Sequence, residues 1–466
     1  MSIRTVPWWT ELTEIFPDKA RVVRTESVLD AHGRDFTYHE PHLPDAVVFV
    51  KSQDEVVTVM RFAHSHQIPV VPFGAGSSLE GHVIPVEGGI SLDFTQMNRI
   101  VEFRPDDFLV RVEPGVTREQ LNDYLRHQGL FFPVDPGANA TIGGMTATNA
   151  SGTNAVRYGA MRDQVKGLEV VLADGTVLHT GGLAVKSSAG YNLTGLFVGS
   201  EGTLGVFTEI TLRLQAIPQE VVAARAVFPD LDTVGKAAAE LTSSGLSLGR
   251  IELVDAGTVR VVNAYKGTHY DEAPTLFLEF SGDPSGVARD VEMAQELCEG
   301  AGCTAILFER DKSAREKLWE ARHHASLAMM ASAPGKKHMV TDVCVPISAL
   351  PGALHHARQT IDAYGLDGMI LGHVGDGNYH AGFMVDPADD EDMARFRAVN
   401  EAIVEYALAR GGTCTGEHGV GLGKRKYLAR EHGDEALAAM RGIKRLFDPQ
   451  GILNPEKVVT EKRVDD

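Results

Sequence analysis

The chain switches between two hydrophobic periods, and the switches mark out its elements. Apolar residues three and four apart run through QDEVVTVMRFAHSH, and Ser52 stands three residues ahead of Glu55, a capping signature that predicts a helix over 53–66. The apolar run IPVVPF then reads as a strand, closed by a glycine-rich turn at 74–81. Thr117 and Gln120 repeat the capping pattern ahead of Leu121, Tyr124 and Leu125, with Gly129 as the stop. LEVVLADGTVLHT (168–180) alternates around an Asp-Gly pair and reads as a hairpin, and VFTEITLRL (206–214) alternates as a strand. This half is mixed α and β, with its glycines gathered in loops.

The pattern changes near Pro218. AARAVF, the helical LDTVGKAAAELTSSG, IELVD, TLFLEF and a helix ending at Gly300 predict an antiparallel sheet covered by helices, hence a second domain. The last forty residues, with DPQGILNPEK at 448–457, read as helix then loop, returning to the first domain. The expected class is α+β, with a first domain over 1–217 (core from about 42), a second over 218–447 and a C-terminal segment over 448–466.

Within the second domain, ILGHVGDGNYH (370–380) predicts a hairpin centred on Asp376-Gly377, with His373 facing His380. Directly opposed residues have Cβ atoms roughly 4.5 to 5.5 Å apart, close enough for two imidazoles to share a cation. GTCTGEHGVGLGK (412–424) sets Glu417 beside His418 in a stretch too rich in glycine to be shaped by packing. A carboxylate from there could complete a His/His/Glu site with open positions, as substrate-handling metals need, leaving His418 beside it as a proton carrier.

Composition narrows the class. With 466 residues and 43% hydrophobic content the chain can bury large cores, and a net charge of -19 argues against nucleic acid or an anionic membrane surface as partner. An anionic substrate would need a local basic cluster. Cys298, Cys303, Cys344 and Cys414 are too scattered for a disulfide framework, which makes a reducing cytoplasm the default. The opening MSIRTVPWWTELTEIF has no apolar signal core, and no run of 18 apolar residues occurs, so the expectation is a cytoplasmic protein without a transmembrane segment, at most peripheral to a membrane.

Three segments carry the cofactor argument: PFGAGSSLEG (72–81), PGANATIGGMTATNASGTNAVRYG (136–159) and GSEGTLGVFTEITLRL (199–214). Loops of small residues let backbone N–H groups approach phosphate oxygens. None matches the nicotinamide fingerprint or the P-loop.

These segments resemble the FAD-binding domain of the vanillyl-alcohol oxidase (PCMH) type. With WEARHHA (319–325), TDVCVPIS (341–348), GHVGDGNYH and GTCTGEHGVGLGK, residues 40 to 460 resemble the FAD- and metal-dependent D-2-hydroxyacid dehydrogenase family, and within it the D-lactate dehydrogenases of the cytochrome type. The resemblance implies that Gly74, Gly76, Ser77 and Ser78 cradle the FAD pyrophosphate. It places Pro136, Thr141, Gly143, Gly144, Ser151 and Gly152 along the flavin, with Glu201, Gly202 and Gly205 continuing the wall. It makes His373, His380 and Glu417 ligands of a divalent metal, zinc or manganese, His418 the base, and Arg322 and Lys337 holders of the substrate carboxylate. The implied reaction oxidises a D-2-hydroxyacid to the 2-ketoacid, by hydride transfer to flavin N5 at a site between the domains. A cytochrome, a quinone or an electron-transfer flavoprotein would then take the electrons.

Two positions depart from relatives. Ser77 stands where some carry a histidine that links FAD covalently, so FAD is expected to be noncovalent. Gly382 stands where members acting on D-2-hydroxyglutarate carry asparagine, which favours D-lactate; D-2-hydroxyglutarate and glycolate are the alternatives. Rivals from other classes are a non-redox transferase on the same flavin fold, a flavin-free metal hydrolase and a non-catalytic binding module.

Overall fold

The computed structural model describes residues 6–460. They form two compact units. One comprises the chain up to Ser151, Gly159–Ile217 and the chain from Glu417 onward; the other comprises Gly152–Tyr158 and Pro218–Gly416.

In the first unit, Ala46–Phe49, Ile90–Asp93 and Val70–Phe73 pair in parallel, and Val22–Val23 adds an antiparallel edge to Ala46–Phe49. The helix Gln53–His66 starts where Ser52 accepts from the Glu55 N–H, while the Glu55 carboxylate turns back to the Lys51 N–H, 2.7 Å away. Its apolar face, Val56, Val59, Met60 and Ala63, is fully buried. A second, antiparallel sheet runs in the order Ile100–Arg104, Leu109–Val112, Val206–Arg213, Val165–Val171, Val177–Gly181. The hairpin at 168–180 forms as expected, with Val171 opposite Val177. Each sheet has its own apolar core, which makes this unit two-part.

The second unit is built on one sheet in the order Ala305–Glu309, Glu220–Val227, Thr275–Gly282, Leu248–Val254, Gly368–Gly372, Asn378–Val385, Lys337–Val340, with every neighbouring pair antiparallel. Helices Leu231–Ser243, Pro284–Gly300 and Leu350–Ala363 bury apolar faces against it. Asp230 caps the first of these by accepting from the Thr233 N–H.

The hairpin at 370–380 differs from its expected register. His380 pairs with Leu371 rather than with His373, because residues 374–376 form a 3-10 turn and Gly377, at φ 78°, takes the left-handed conformation that ends it. The connection therefore spans five residues rather than two. His373 lies just past the strand end.

Candidate active site

The three glycine-rich segments meet in the first unit. A Cβ at Gly74 would fall 2.3 Å from Thr141 Oγ1, one at Gly143 2.6 Å from Pro114 and one at Gly202 2.8 Å from Pro72. Only residues without side chains let these loops approach so closely. The hydroxyls of Ser78 and Ser200 are buried without a hydrogen-bond partner, an arrangement that costs free energy unless a ligand supplies one. Orphaned hydroxyls on closely packed loops of small residues fit a bound dinucleotide such as FAD. Gly76, Ser77, Gly144, Ser151 and Gly205 lie in these segments; Gly152 clusters with the second unit. Pro136 precedes the Thr141 cap. Glu201 departs from a simple wall: its buried carboxylate accepts from the backbone N–H groups of Val420 and Gly421, at 2.7 and 2.8 Å.

In the second unit the two histidines converge despite the shifted register, with ring centroids 5.7 Å apart at 86°. Each is oriented through Nδ1. His373 Nδ1 donates to Glu252 Oε1 at 2.6 Å, and His380 Nδ1 donates to the Thr341 carbonyl at 3.2 Å, which leaves the lone pair of each neutral ring on Nε2. Glu252 reaches His373 because Leu253 pairs with Gly372, the residue before it. Burial would push the Glu252 carboxyl up, but its electrostatic attraction to His373 and Arg322 and the hydrogen bonds from both hold it below the ordinary carboxylate value.

Gly416 ends this unit, packed so closely that a Cβ would fall 2.1 Å from Asn378 Nδ2. Thr415 Oγ1 donates to the fully buried Asp342, as does Asn378. Glu417 and His418 are the next two residues along that pinned backbone. Ligand atoms of His373, His380 and Glu417 all lie within 4.8 Å of one another, and the same holds for Asp342, His380 and His418. Two imidazoles and a carboxylate with second partners on Nδ1 are a donor set suited to a divalent cation.

The two basic residues lie in different surroundings. Arg322 binds Glu252 through Nε and Nη2, at 2.9 and 2.8 Å. Lys337 is exposed and pairs with Val385, which by strand alternation puts it on the opposite sheet face from His380. A Cβ at Gly382 would meet Met329 Sδ at 2.9 Å and His338 Nε2 at 3.0 Å, so the space of the missing side chain is already taken. Sequence reasoning missed Glu252, Asp342 and the structural duty of Glu201. A carboxylate inside the apolar strand IELVD was the available signal for the first, and TDVCVPIS held the second.

Comparisons with known proteins bear on the fold and the flavin. Residues 44–181 match the FAD binding domain family, and residues 217–458 match the FAD linked oxidases, C-terminal domain. p-Cresol methylhydroxylase superposes with a TM-score of 0.81 at 19% identity, covering 98% of both chains, so the fold is that of the flavoproteins of the p-cresol methylhydroxylase and vanillyl-alcohol oxidase type. A Danio rerio protein named "Probable D-lactate dehydrogenase, mitochondrial" is 45% identical over 93% of this chain and 88% of its own, and the Arabidopsis thaliana "D-lactate dehydrogenase [cytochrome], mitochondrial" is 43% identical over 92% and 76%. The chain belongs to the FAD-linked D-lactate dehydrogenases.

The expectation of a cytoplasmic location is overturned, because both relatives carry mitochondrial names. The four unpaired cysteines do not identify a compartment. Among the described residues no helix is long and apolar enough to cross a membrane.

Proposed function

We propose that the protein oxidises D-lactate to its 2-ketoacid using noncovalent FAD and a divalent cation, zinc or manganese, held by His373, His380 and Glu417. The ligand set within 4.8 Å, with His418 next in the chain, is the observation that carries this reading. When bound, FAD supplies the acceptor for the C2 hydride at N5, and the cation supplies positive charge beside the hydroxyl and carboxylate oxygens. The chain's own residues do the rest. Neutral His418 takes the hydroxyl proton as the hydride leaves, so that two electrons and two protons depart in all. Arg322, with two nitrogens already on Glu252, offers Nη1 to the substrate carboxylate, whereas Lys337, on the opposite sheet face from His380, takes no part in holding it.

Gly382 supports the choice of substrate. Met329 and His338 fill the space a longer residue would need, so a distal carboxylate would be desolvated without a donor from position 382. Monocarboxylates such as D-lactate should outrun D-2-hydroxyglutarate. A cytochrome as electron acceptor is supported by the name of the Arabidopsis relative.

The test is anaerobic flavin reduction against a panel of D- and L-2-hydroxyacids. D-lactate should bleach the flavin and yield ketoacid, and acid precipitation should release the yellow colour into the supernatant. Faster reduction by L-lactate, or equal specificity for D-2-hydroxyglutarate, would count against the reading. His380→Ala should lose metal and activity yet retain flavin, whose loops lie in the other unit apart from Gly152–Tyr158. Full activity in a metal-free preparation would remove the cation.

A further inference from the structure

The His418 loop is held downstream by a buried ion pair that the reaction itself does not call for. Both oxygens of Glu201 are committed to one stretch of backbone, Oε1 to the Val420 N–H at 2.7 Å and Oε2 to the Gly421 N–H at 2.8 Å. His82 Nε2 lies 3.2 Å from Oε2, and both side chains are buried. Between them and His418 stands Gly419, at φ 85°, where a Cβ would come 2.7 Å from His82 Nε2 and 2.8 Å from Glu201 Oε1. Glu201 is itself fixed: its N–H donates to the Ala147 carbonyl at 2.8 Å, and its own carbonyl accepts from Asn454 Nδ2 at 2.7 Å.

Burying a carboxylate is costly unless its charge is met and its lone pairs are filled. A loop that needed only to be covered could be covered by apolar residues. Two oxygens gripping consecutive N–H groups instead fix the orientation of successive peptide planes, beginning two residues after His418. We infer that Glu201, with His82 as its counter-charge, is a positioning residue that sets where the His418 imidazole stands, acting through the backbone of 419–421. This rests on the reading of His418 as the base. The tight fit at Gly419 supports it independently of the hydrogen bonds, since no other residue lets the loop settle so closely on the pair.

The experiment is single-turnover flavin reduction by D-lactate in wild type, Glu201→Ala, Glu201→Gln, His418→Asn and the Glu201→Ala/His418→Asn double variant, with flavin occupancy and melting temperature recorded for each. Glu201→Ala should keep its flavin and slow reduction at saturating D-lactate by about 10²-fold, the scale of an ångström's misplacement of a catalytic group, with KM little changed. Glu201→Gln should recover part of the rate, because its amide oxygen still accepts one of the two N–H groups. In the His418→Asn background the further loss should be small, since nothing remains to be positioned.

Equal slowing in both backgrounds overturns the inference, as does an unchanged rate. Loss of flavin from both Glu201 variants would assign the residue to cofactor retention instead. If Glu201→Ala fails to fold, Gly419→Ala displaces the same contact from the loop side, and a folded Gly419→Ala at wild-type rate overturns the inference equally. The base reading is decided separately by His418→Asn alone: a near wild-type rate there removes the base and the positioning claim together, whereas slow His418→Asn with uncoupled Glu201→Ala removes only the latter.

Discussion

Glu252 sits at zero exposure between two hydrogen-bond donors, the Arg322 guanidinium on one oxygen and His373 Nδ1–H on the other. A buried carboxylate in that position is stable because Arg322 meets its charge and the His373 Nδ1–H fills its other oxygen. In turn it fixes the tautomer of His373, since an ionised carboxylate can only accept and therefore keeps the proton on Nδ1. Glu252→Gln preserves the shape and removes the charge. The guanidinium of Arg322 is then left buried without its counter-ion, which should destabilise the second unit by about 3–5 kcal/mol, the usual cost of breaking such a pair from one side. Metal affinity should fall about 10- to 100-fold as His373 loses its strong acceptor. Urea unfolding and competitive metal titration measure the two effects, and an unchanged affinity would show that the Nδ1 bond does not tune the ligand.

The element that brings the histidines together is the hairpin Gly368–Gly372 and Asn378–Val385, and its connection shows where sequence reading stops. Both strands were legible as short apolar runs flanking the Asp-Gly turn, and both histidines were correctly placed on the hairpin. Its register was not legible, because an Asp-Gly pair suits a two-residue turn and the left-handed end of a 3-10 turn equally well. What settles the choice is distant in sequence: a Cβ on Gly377 would come 2.0 Å from the Val345 carbonyl, so the turn is shaped by the segment it packs on. Tyr124, read with Leu121 and Leu125 as the apolar positions of its helix, meets Phe103 edge-on and stays 47% exposed. Gly377→Ala combines a strained φ with that clash. We expect a loss of more than about 1 kcal/mol from the backbone term alone, with metal binding weakened because His373 moves with the turn. A folded variant with wild-type metal affinity would show that the turn does not position the ligand.

At the scale of the molecule, an excess of acids over bases, 63 against 44, says little about stability near neutrality, because most of those groups are solvated in both states. The buried groups decide. For Glu201, burial raises the carboxyl, but His82 and the N–H groups of Val420 and Gly421 outweigh it and hold it low. Its stabilisation is present above the ordinary carboxylate value and is lost as pH falls through the lowered one. For His82, burial lowers the imidazole, but Glu201, Glu80 and Asp35 carry it above 6.5, so its contribution is intact below that value and disappears as pH rises through the raised one. Lys457 runs the other way. Burial, helped by Arg425, pushes its ammonium down from 10.5 to about 7 against the pull of Glu201 and Glu456, while Nζ donates to the Ile84 carbonyl at 2.7 Å. Between those two values the unfolded chain holds a proton that the folded chain has released, so stability from this group must rise with pH there, by up to ~1.4 kcal/mol per pH unit. Lys457→Met removes the titration and leaves a constant offset from the lost hydrogen bond. The stability difference between wild type and Lys457→Met, followed by urea unfolding from pH 7 to 9.5, should therefore grow in favour of wild type as pH rises. A flat difference would mean that Lys457 stays protonated in the folded protein and that the Ile84 and Pro455 carbonyls solvate its charge in place of water.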